Sequence, residues 1–140
     1  MGRNFVVLTM TNKTPKFYST LGPYLARREI AKELGAPVWD DDDLAWFVAK
    51  RFVARKGSIV LGFCALEQDG EIAELRSSYV RPEYRKDGVY TALFEARLAA
   101  IKRPCRARSV VRSAAVPVFK KHGFAETKTT KNFHTMERDL

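Results

Sequence analysis

Two cysteines, Cys64 and Cys105, are all that the sequence offers for disulfide or thiolate chemistry. That is too few for a disulfide scaffold, so a reduced, cytoplasmic protein is the expectation. No apolar run approaches the roughly 20 residues that span a bilayer, so no membrane partner is expected. The opening MGRNFVVLTMTNK has only a short apolar run and no small-residue cleavage site; it reads as a first strand and not a signal peptide. Val6 stands where a myristoylation signal needs Ser or Thr. His122 and His134 show no metal-ligand spacing with the cysteines, so no metal is expected. There is no G-x-S-x-G, no Walker loop, no repeat and no linker.

What is present is a core and a charge. The chain has 140 residues, near the usual size of one domain, and 46% of them are hydrophobic, nine Phe and two Trp included. Such a composition folds. The net charge is +9, but residues 1–100 carry only +2 of it and residues 101–140 carry +7. A basic C-terminal third suits an anionic partner, either a nucleic acid or a polyanionic cofactor; a solvated, solubilising surface is the plainer reading.

Along the chain, Asn4–Met10 reads as a strand, residues 11–22 as a loop and Tyr24–Leu34 as an amphipathic helix opened by Pro23 and stopped by Gly35. The Asp40–Asp43 run admits a cation or amine site, with a solvated charged turn the plainer reading. Trp39, Trp46 and Phe47 read as core, with Trp39 a candidate cleft wall. Trp46–Arg55, Ser58–Gln68 and Glu71–Arg81 read as strands, turned at Lys56-Gly57 and at Asp69-Gly70. Gly88–Ile101 has Val89, Leu93, Ala96 and Ala100 at helical spacing. A short strand follows over Ala107–Val111, then a helix over Ser113–His122 with Ser113 as N-cap, His122 as a C-terminal cap and Gly123 as the stop, then extended chain from Phe124. The order predicts a mixed α/β single domain over residues 1–140.

The segment that carries chemistry is Tyr79–Tyr90, YVRPEYRKDGVY. A strand ends, a basic loop follows, and a helix begins near Gly88. The first amides of a helix have no internal partners and carry the positive end of its dipole, so such a terminus binds anions. Arg85 and Lys86 add charge, and Gly88 lets the backbone come close. This points to a phosphate or pyrophosphate site, or else to a plain strand–helix joint.

IVLGFCAL, a hairpin, ELRSSYVRPEYRKDGVYTALF and AAVPVFKKHGF together resemble the GNAT N-acetyltransferase superfamily, well from Phe52 to Leu140 and loosely before. The family's Arg/Gln-x-x-Gly-x-Gly/Ala pattern is met by Arg85 and Gly88, while Tyr90 stands where a small residue is usual. The resemblance implies a twisted, mostly antiparallel mixed sheet flanked by helices, splayed between its fourth and fifth strands. It implies acetyl-CoA as cofactor, its pyrophosphate on the backbone of Arg85, Lys86, Asp87, Gly88, Val89 and Tyr90. It implies that the Val80 backbone pairs with the pantetheine arm and polarises the thioester carbonyl, where a fixed donor acts on developing charge.

Acyl transfer to an amine needs a proton acceptor. Glu74 lies eleven residues before Arg85 on the preceding strand, where the family places such a glutamate. Period-two alternation puts Glu74, Arg76, Ser78 and Val80 on one face, so Glu74 reads either as a base or as half of a surface pair with Arg76. The family often protonates the departing thiolate from a tyrosine that here is Phe119; Ser113, Tyr79 and His122 are the substitutes, and a thiolate can also leave unaided.

Three functions follow from these readings. One is N-acetyl transfer from acetyl-CoA to a primary amine of a small molecule or protein, by a monomer or homodimer. The second is action on nucleic acid, tRNA or DNA, through a face built from Arg103, Arg106, Arg108, Arg112, Lys120, Lys121, Lys128 and Lys131. The third is an inactive CoA-fold module used for interaction, to which Phe119 and Tyr90 would be suited.

Overall fold

The computed structural model describes residues 4–25, 27, 30 and 44–140. Seven strands form one sheet: β1 (Val6–Met10), β2 (Leu44–Val53), β3 (Gly57–Asp69), β4 (Ile72–Val80), β5 (Arg106–Val111), β6 (Ala125–Thr129) and β7 (His134–Asp139). Their spatial order is β1-β2-β3-β4-β5-β7-β6. Every neighbouring pair is antiparallel except β4 and β5. Among the described residues the sheet is accompanied by the helices α1 (Phe17–Leu25), α2 (Val89–Ala100) and α3 (Val116–Lys121). The mixed, mostly antiparallel sheet flanked by helices is as expected.

Two apolar layers hold the helices to opposite faces. Beneath α1, Phe17 and Leu21 pack with Trp46, Val48, Val60 and Phe63. On the other face, Val89, Leu93 and Phe94 of α2 and Phe119 of α3 pack with Phe47, Leu61, Leu75 and Met136. The alternation of β2 and β3 between the two layers is the period of a strand buried on both faces.

The first helix departs from the expectation. It begins at Phe17, inside the stretch read as loop, and Pro23 lies within it instead of opening it. Phe17 and Leu21 stand one turn apart and are both fully buried, so tertiary burial of that pair sets the start. The remainder of the helix expected over Tyr24–Leu34, and the Asp40–Asp43 run with Trp39, lie outside the described residues apart from Arg27 and Ile30. The strand expected from Trp46 begins at Leu44, and the β3–β4 turn is Gly70-Glu71, one residue later than expected.

β4 contains the feature that positions the site. Gly62 pairs with Val80 and Phe63 with Tyr79, but Ala65 pairs with Arg76, so β4 holds one residue more than its partner between these points. That is a β-bulge, centred on Ser77, whose φ is 53°. An inserted residue exchanges the two faces of the strand. Ala73 and Leu75 before the bulge, and Val80 after it, all join the α2-side core. Glu74 and Arg76 therefore project from the face opposite Val80, which corrects the single face expected for Glu74, Arg76, Ser78 and Val80.

Candidate active site

β4 and β5 pair only at Ile72–Arg106, Ala73–Ala107 and Glu74–Arg108. The Ser109 hydroxyl, donating to the Leu75 carbonyl at 2.6 Å, is the next tie between them. Beyond it the two strands are unpaired: β4 is bent by its bulge while β5 stays paired with β7 along its whole length. The opening holds a groove of about 450 Å³ lined by Ser78, Tyr79, Val80, Arg85, Tyr90, Thr91, Ala114, Ala115 and Val118. A second chamber of about 250 Å³ lies along Leu75–Ser78, Ser109–Arg112 and Phe133, and Tyr90 borders both.

The Val80 backbone faces this groove. Arg81 donates its amide to Leu61 on β3, and antiparallel neighbours alternate in the direction of their backbone groups. Val80 thus points its N–H and C=O away from β3. The Val80 side chain is core, and its carbonyl accepts from Arg85 Nε at 2.7 Å. The Arg85 guanidinium also lies over the Tyr79 ring at 5.5 Å. Arg85 therefore stitches the loop to the strand end.

In that loop the Tyr84 amide donates to Arg81, the Arg85 amide to Pro82 and the Asp87 amide to Tyr84. Two of the amides expected to face an anion, those of Arg85 and Asp87, are thus taken by turns. The other amides of this stretch lie at the start of α2. Gly88 is its N-cap with φ 80°, a conformation that favours glycine, and no side chain caps the helix. The amides from Gly88 through Tyr90 carry the helix's positive end beside the groove. Lys86 and Asp87 are exposed at the loop tip.

Tyr90 does more than lend its backbone. It lines the same two cavities as Ser78, at the bulge. Burial pushes the pKa of its phenol upward, against the opposing charge of Arg97, with Cys64 adding a smaller upward push and the Ser78 hydroxyl a lowering one. Arg97 was hidden in the sequence by its helical surroundings. The expected apolar positions Val89 and Leu93 are buried, but Ala100 is exposed and Arg97 is 1% exposed. Its Nη1 lies 3.2 Å from the Ala65 carbonyl, 3.1 Å from the Arg76 carbonyl and 3.0 Å from Ser78 Oγ, across the bulge. Among the described residues no carboxylate pairs with it, and its Nε is buried without a partner.

Glu74 lies 3.6 Å from Arg108, and Arg76 is bound by Glu67 at 2.9 Å, so the surface pair considered between Glu74 and Arg76 is replaced by two others. Glu74, Arg76, Ser77 and Arg108 line a cavity of about 170 Å³ where β4 and β5 begin to part.

Ser113 is not an N-cap: it starts a 3-10 turn before α3, and its hydroxyl meets His134 Nε2 at 3.0 Å. His134 Nδ1 in turn lies 2.6 Å from Glu126, which also accepts from the Thr129 hydroxyl. Phe119 is buried between Phe94 and Phe124 at 4.8 and 5.0 Å, and Val118 takes the groove-facing place on α3. His122 caps α3 as expected, its Nδ1 2.9 Å from the Val118 carbonyl. Of the basic residues expected to share one face, Arg106 is held by Glu137 and Asp139, Arg108 by Glu74, and Arg112 lies over Phe133. No cluster that could hold a metal is found among the described residues, and no helix there is long and apolar enough to cross a membrane.

Comparison with known proteins agrees with this geometry. No curated protein matches the sequence significantly. Among solved structures, an acyl-CoA N-acyltransferase from Pseudomonas aeruginosa is 15% identical, with a TM-score of 0.71 over 96% of this chain and 99% of that one. A GNAT family acetyltransferase from Elizabethkingia anophelis with acetyl-CoA bound is 15% identical, with a TM-score of 0.63 over 98% and 99%. Arabidopsis thaliana NAA60, in complex with a bisubstrate analogue, is 16% identical, with a TM-score of 0.65 over 96% and 98%. At such identities these likenesses concern the fold. The sequence itself matches the acetyltransferase (GNAT) domain model over residues 43–126, well over half of its length. With its splayed β4–β5 cleft and uncapped α2 terminus, this chain belongs to the GNAT acetyltransferase family.

Proposed function

We propose that the protein transfers an acetyl group from acetyl-CoA to a primary amine of a small molecule or protein, by direct attack of the amine on the thioester. The observation that carries the proposal is the groove itself. It runs from Arg85 and the start of α2 at Tyr90 and Thr91 to the outward-facing Val80 backbone and on to the bulge at Ser78. A diphosphate suits the first of these, an amide-bearing arm the second and an acyl group the third.

The chain's own groups then have separate tasks. The amides of Gly88, Val89 and Tyr90 hold the diphosphate, with Lys86 adding charge. Arg85 and Asp87 act by shaping the loop, Arg85 through its bond to Val80. The Val80 N–H donates into the groove, where a preorganised donor stabilises charge developing on a carbonyl oxygen. Glu74 accepts the amine proton from the opposite side of the sheet opening, the side on which the acceptor enters. Tyr79 and Ser113 are the other hydroxyls weighed as proton carriers. Tyr79 borders the groove beneath the Arg85 guanidinium, and Ser113 is engaged by His134.

Acetyl-CoA at a hundred times its Kd should stabilise the fold by about 2.7 kcal/mol through mass action. A thermal-shift titration with acetyl-CoA and CoA reads this directly, and a flat response to both refutes the proposal. Release of free thiol in the presence of a panel of primary amines then tests transfer.

A further inference from the structure

The buried contacts around the bulge assign a task to a side chain that neither the loop pattern nor the fold gives it. Arg97 carries only donors, so Ser78 Oγ accepts from it. Ser78 and Tyr90 line the same two cavities, and the Ser78 hydroxyl acts to lower the pKa of the phenol, as a donor directed at it does. Beside a fixed cation the dipoles of a hydroxyl chain align, each polarising the next. The favoured order is Arg97 N–H to Ser78 Oγ, then Ser78 O–H to Tyr90 Oη. The phenolic proton of Tyr90 is then left to donate into the groove that Tyr90 borders. Phe119 has no proton to give and is buried among aromatic rings. Ser113 is engaged by His134, and the Tyr79 ring, though Tyr79 borders the groove, is held between the Phe63 ring at 5.6 Å and the Arg85 guanidinium at 5.5 Å.

We propose that Tyr90 is the proton donor to the thiolate released from the acyl donor, with Ser78 and Arg97 as positioning residues that polarise it. The inference rests on the acyl-transfer reading. The step balances as follows. The amine nitrogen forms the new C–N bond and the C–S bond breaks, its electron pair going to sulfur. The amine loses one proton to Glu74, and the sulfur gains one from Tyr90. Solvent then returns the proton that Glu74 has shed to the phenolate. A desolvated phenol with a raised pKa remains protonated until sulfur demands the proton.

The test needs no amine acceptor. CoA and desulfo-CoA, which lacks the thiol, are titrated calorimetrically into the wild type, Tyr90→Phe and Ser78→Ala. Titrations run near pH 7 and near pH 9, either side of the ordinary thiol pKa of about 8.5. Arg76, Arg85, Arg97 and Arg112 also line or face this space and favour a thiolate, but they are common to wild type and Tyr90→Phe. Cys64 is fully buried with its thiol pKa pushed up by burial, and it too is common to wild type and Tyr90→Phe. Losing a charge-assisted hydrogen bond should weaken CoA binding by Tyr90→Phe about tenfold near pH 9, with desulfo-CoA changed by less than about twofold. Ser78→Ala, which keeps the phenol but not its polarising partner, should lose a smaller part. Equal CoA affinity near pH 9 in wild type and Tyr90→Phe overturns the proposal. So does a Tyr90→Phe loss that is the same for CoA and desulfo-CoA, since that marks a packing role. A wild type that binds acetyl-CoA while Tyr90→Phe behaves in either of these ways leaves the acyl-transfer reading standing without this donor. A wild type that binds none of the three ligands refutes both.

Discussion

Replacing Arg97 by methionine removes a buried donor that reaches across the β4 bulge. Three acceptors lose it together: the carbonyls of Ala65 and Arg76 and the hydroxyl oxygen of Ser78. A buried acceptor left without a donor costs about 1–3 kcal/mol. Against that stands relief from burying a guanidinium with no carboxylate partner among the described residues, a desolvation cost of several kcal/mol. Methionine fills most of the volume, so the cavity contribution is small. The net expectation is a destabilisation of about 2–4 kcal/mol, or about 6–12 °C in Tm for a chain of this size. Urea unfolding followed by circular dichroism measures it, with the slope m unchanged if only the native state is affected. A variant within about 0.5 kcal/mol of wild type would show that the bulge stands without Arg97. The chain of polarised hydroxyls from Arg97 to Tyr90 would then lose its anchor.

Three other outcomes follow from the same geometry. Gly62→Ala should destabilise by about 1–3 kcal/mol, because its Cβ would meet the Tyr79 carbonyl oxygen at 2.7 Å and the Val80 Cα at 3.1 Å. The same variant should weaken acetyl-CoA in a thermal-shift assay, and a variant as stable as wild type refutes the close approach. Phe119→Tyr should not raise turnover and should cost about 1–3 kcal/mol, since its hydroxyl would be buried between Phe94 and Phe124 without a partner; a gain in turnover would put the α3 residue at the groove after all. The Glu126 carboxyl is held below its ordinary range by hydrogen bonds from Thr129 and His134. A depressed folded pKa gives stability that is present above the unfolded value of about 4.3 and lost as pH falls through the folded one. Glu126→Gln should therefore flatten the acid limb of stability below about pH 4.5, and an unchanged acid slope in urea titrations would contradict it.

How far the sequence disclosed these features depends on whether backbone or side chain carries them. The Arg85–Tyr90 loop was legible because a proline, a basic pair and a glycine sit between a strand and a helix. Each of those residues has a local backbone reason. Residues 17–22 read as loop because Pro23 reads as a helix opener, and only the Trp46 and Phe63 layer shows that Phe17 and Leu21 must be helical. Arg97 was invisible since an arginine in an amphipathic helix reads as solvent-facing. Its burial is set by carbonyls released thirty-two and twenty-one residues away, at Ala65 and Arg76. The bulge itself has no local signal, as Ser77 and Ser78 are unremarkable strand residues, and without it the faces of β4 are assigned wrongly past Arg76.

The bulge, the splay and the buried guanidinium are best understood as one device. A regular β4 would carry its pairing past Glu74 and close the opening against β5; the inserted residue bends it away and frees carbonyls in the interior. Those carbonyls need a donor, and a neutral one could satisfy them, so the use of a full charge requires a further reason. A cation buried behind Ser78, which lines the groove, with no carboxylate of the described residues to neutralise it, lowers the energy of negative charge that arises nearby. Acyl transfer from a thioester produces such charge twice, on the carbonyl oxygen and then on sulfur. The cost of burying Arg97 is offset in the native state by three hydrogen bonds, and the proposed reaction adds a second offset, the anion that forms in its transition state. If that is right, Arg97→Lys, which keeps the charge but loses the fork of donors, should impair stability more than thiolate affinity. Arg97→Met should impair both, and calorimetric titration of CoA near pH 9 beside urea unfolding separates the two effects.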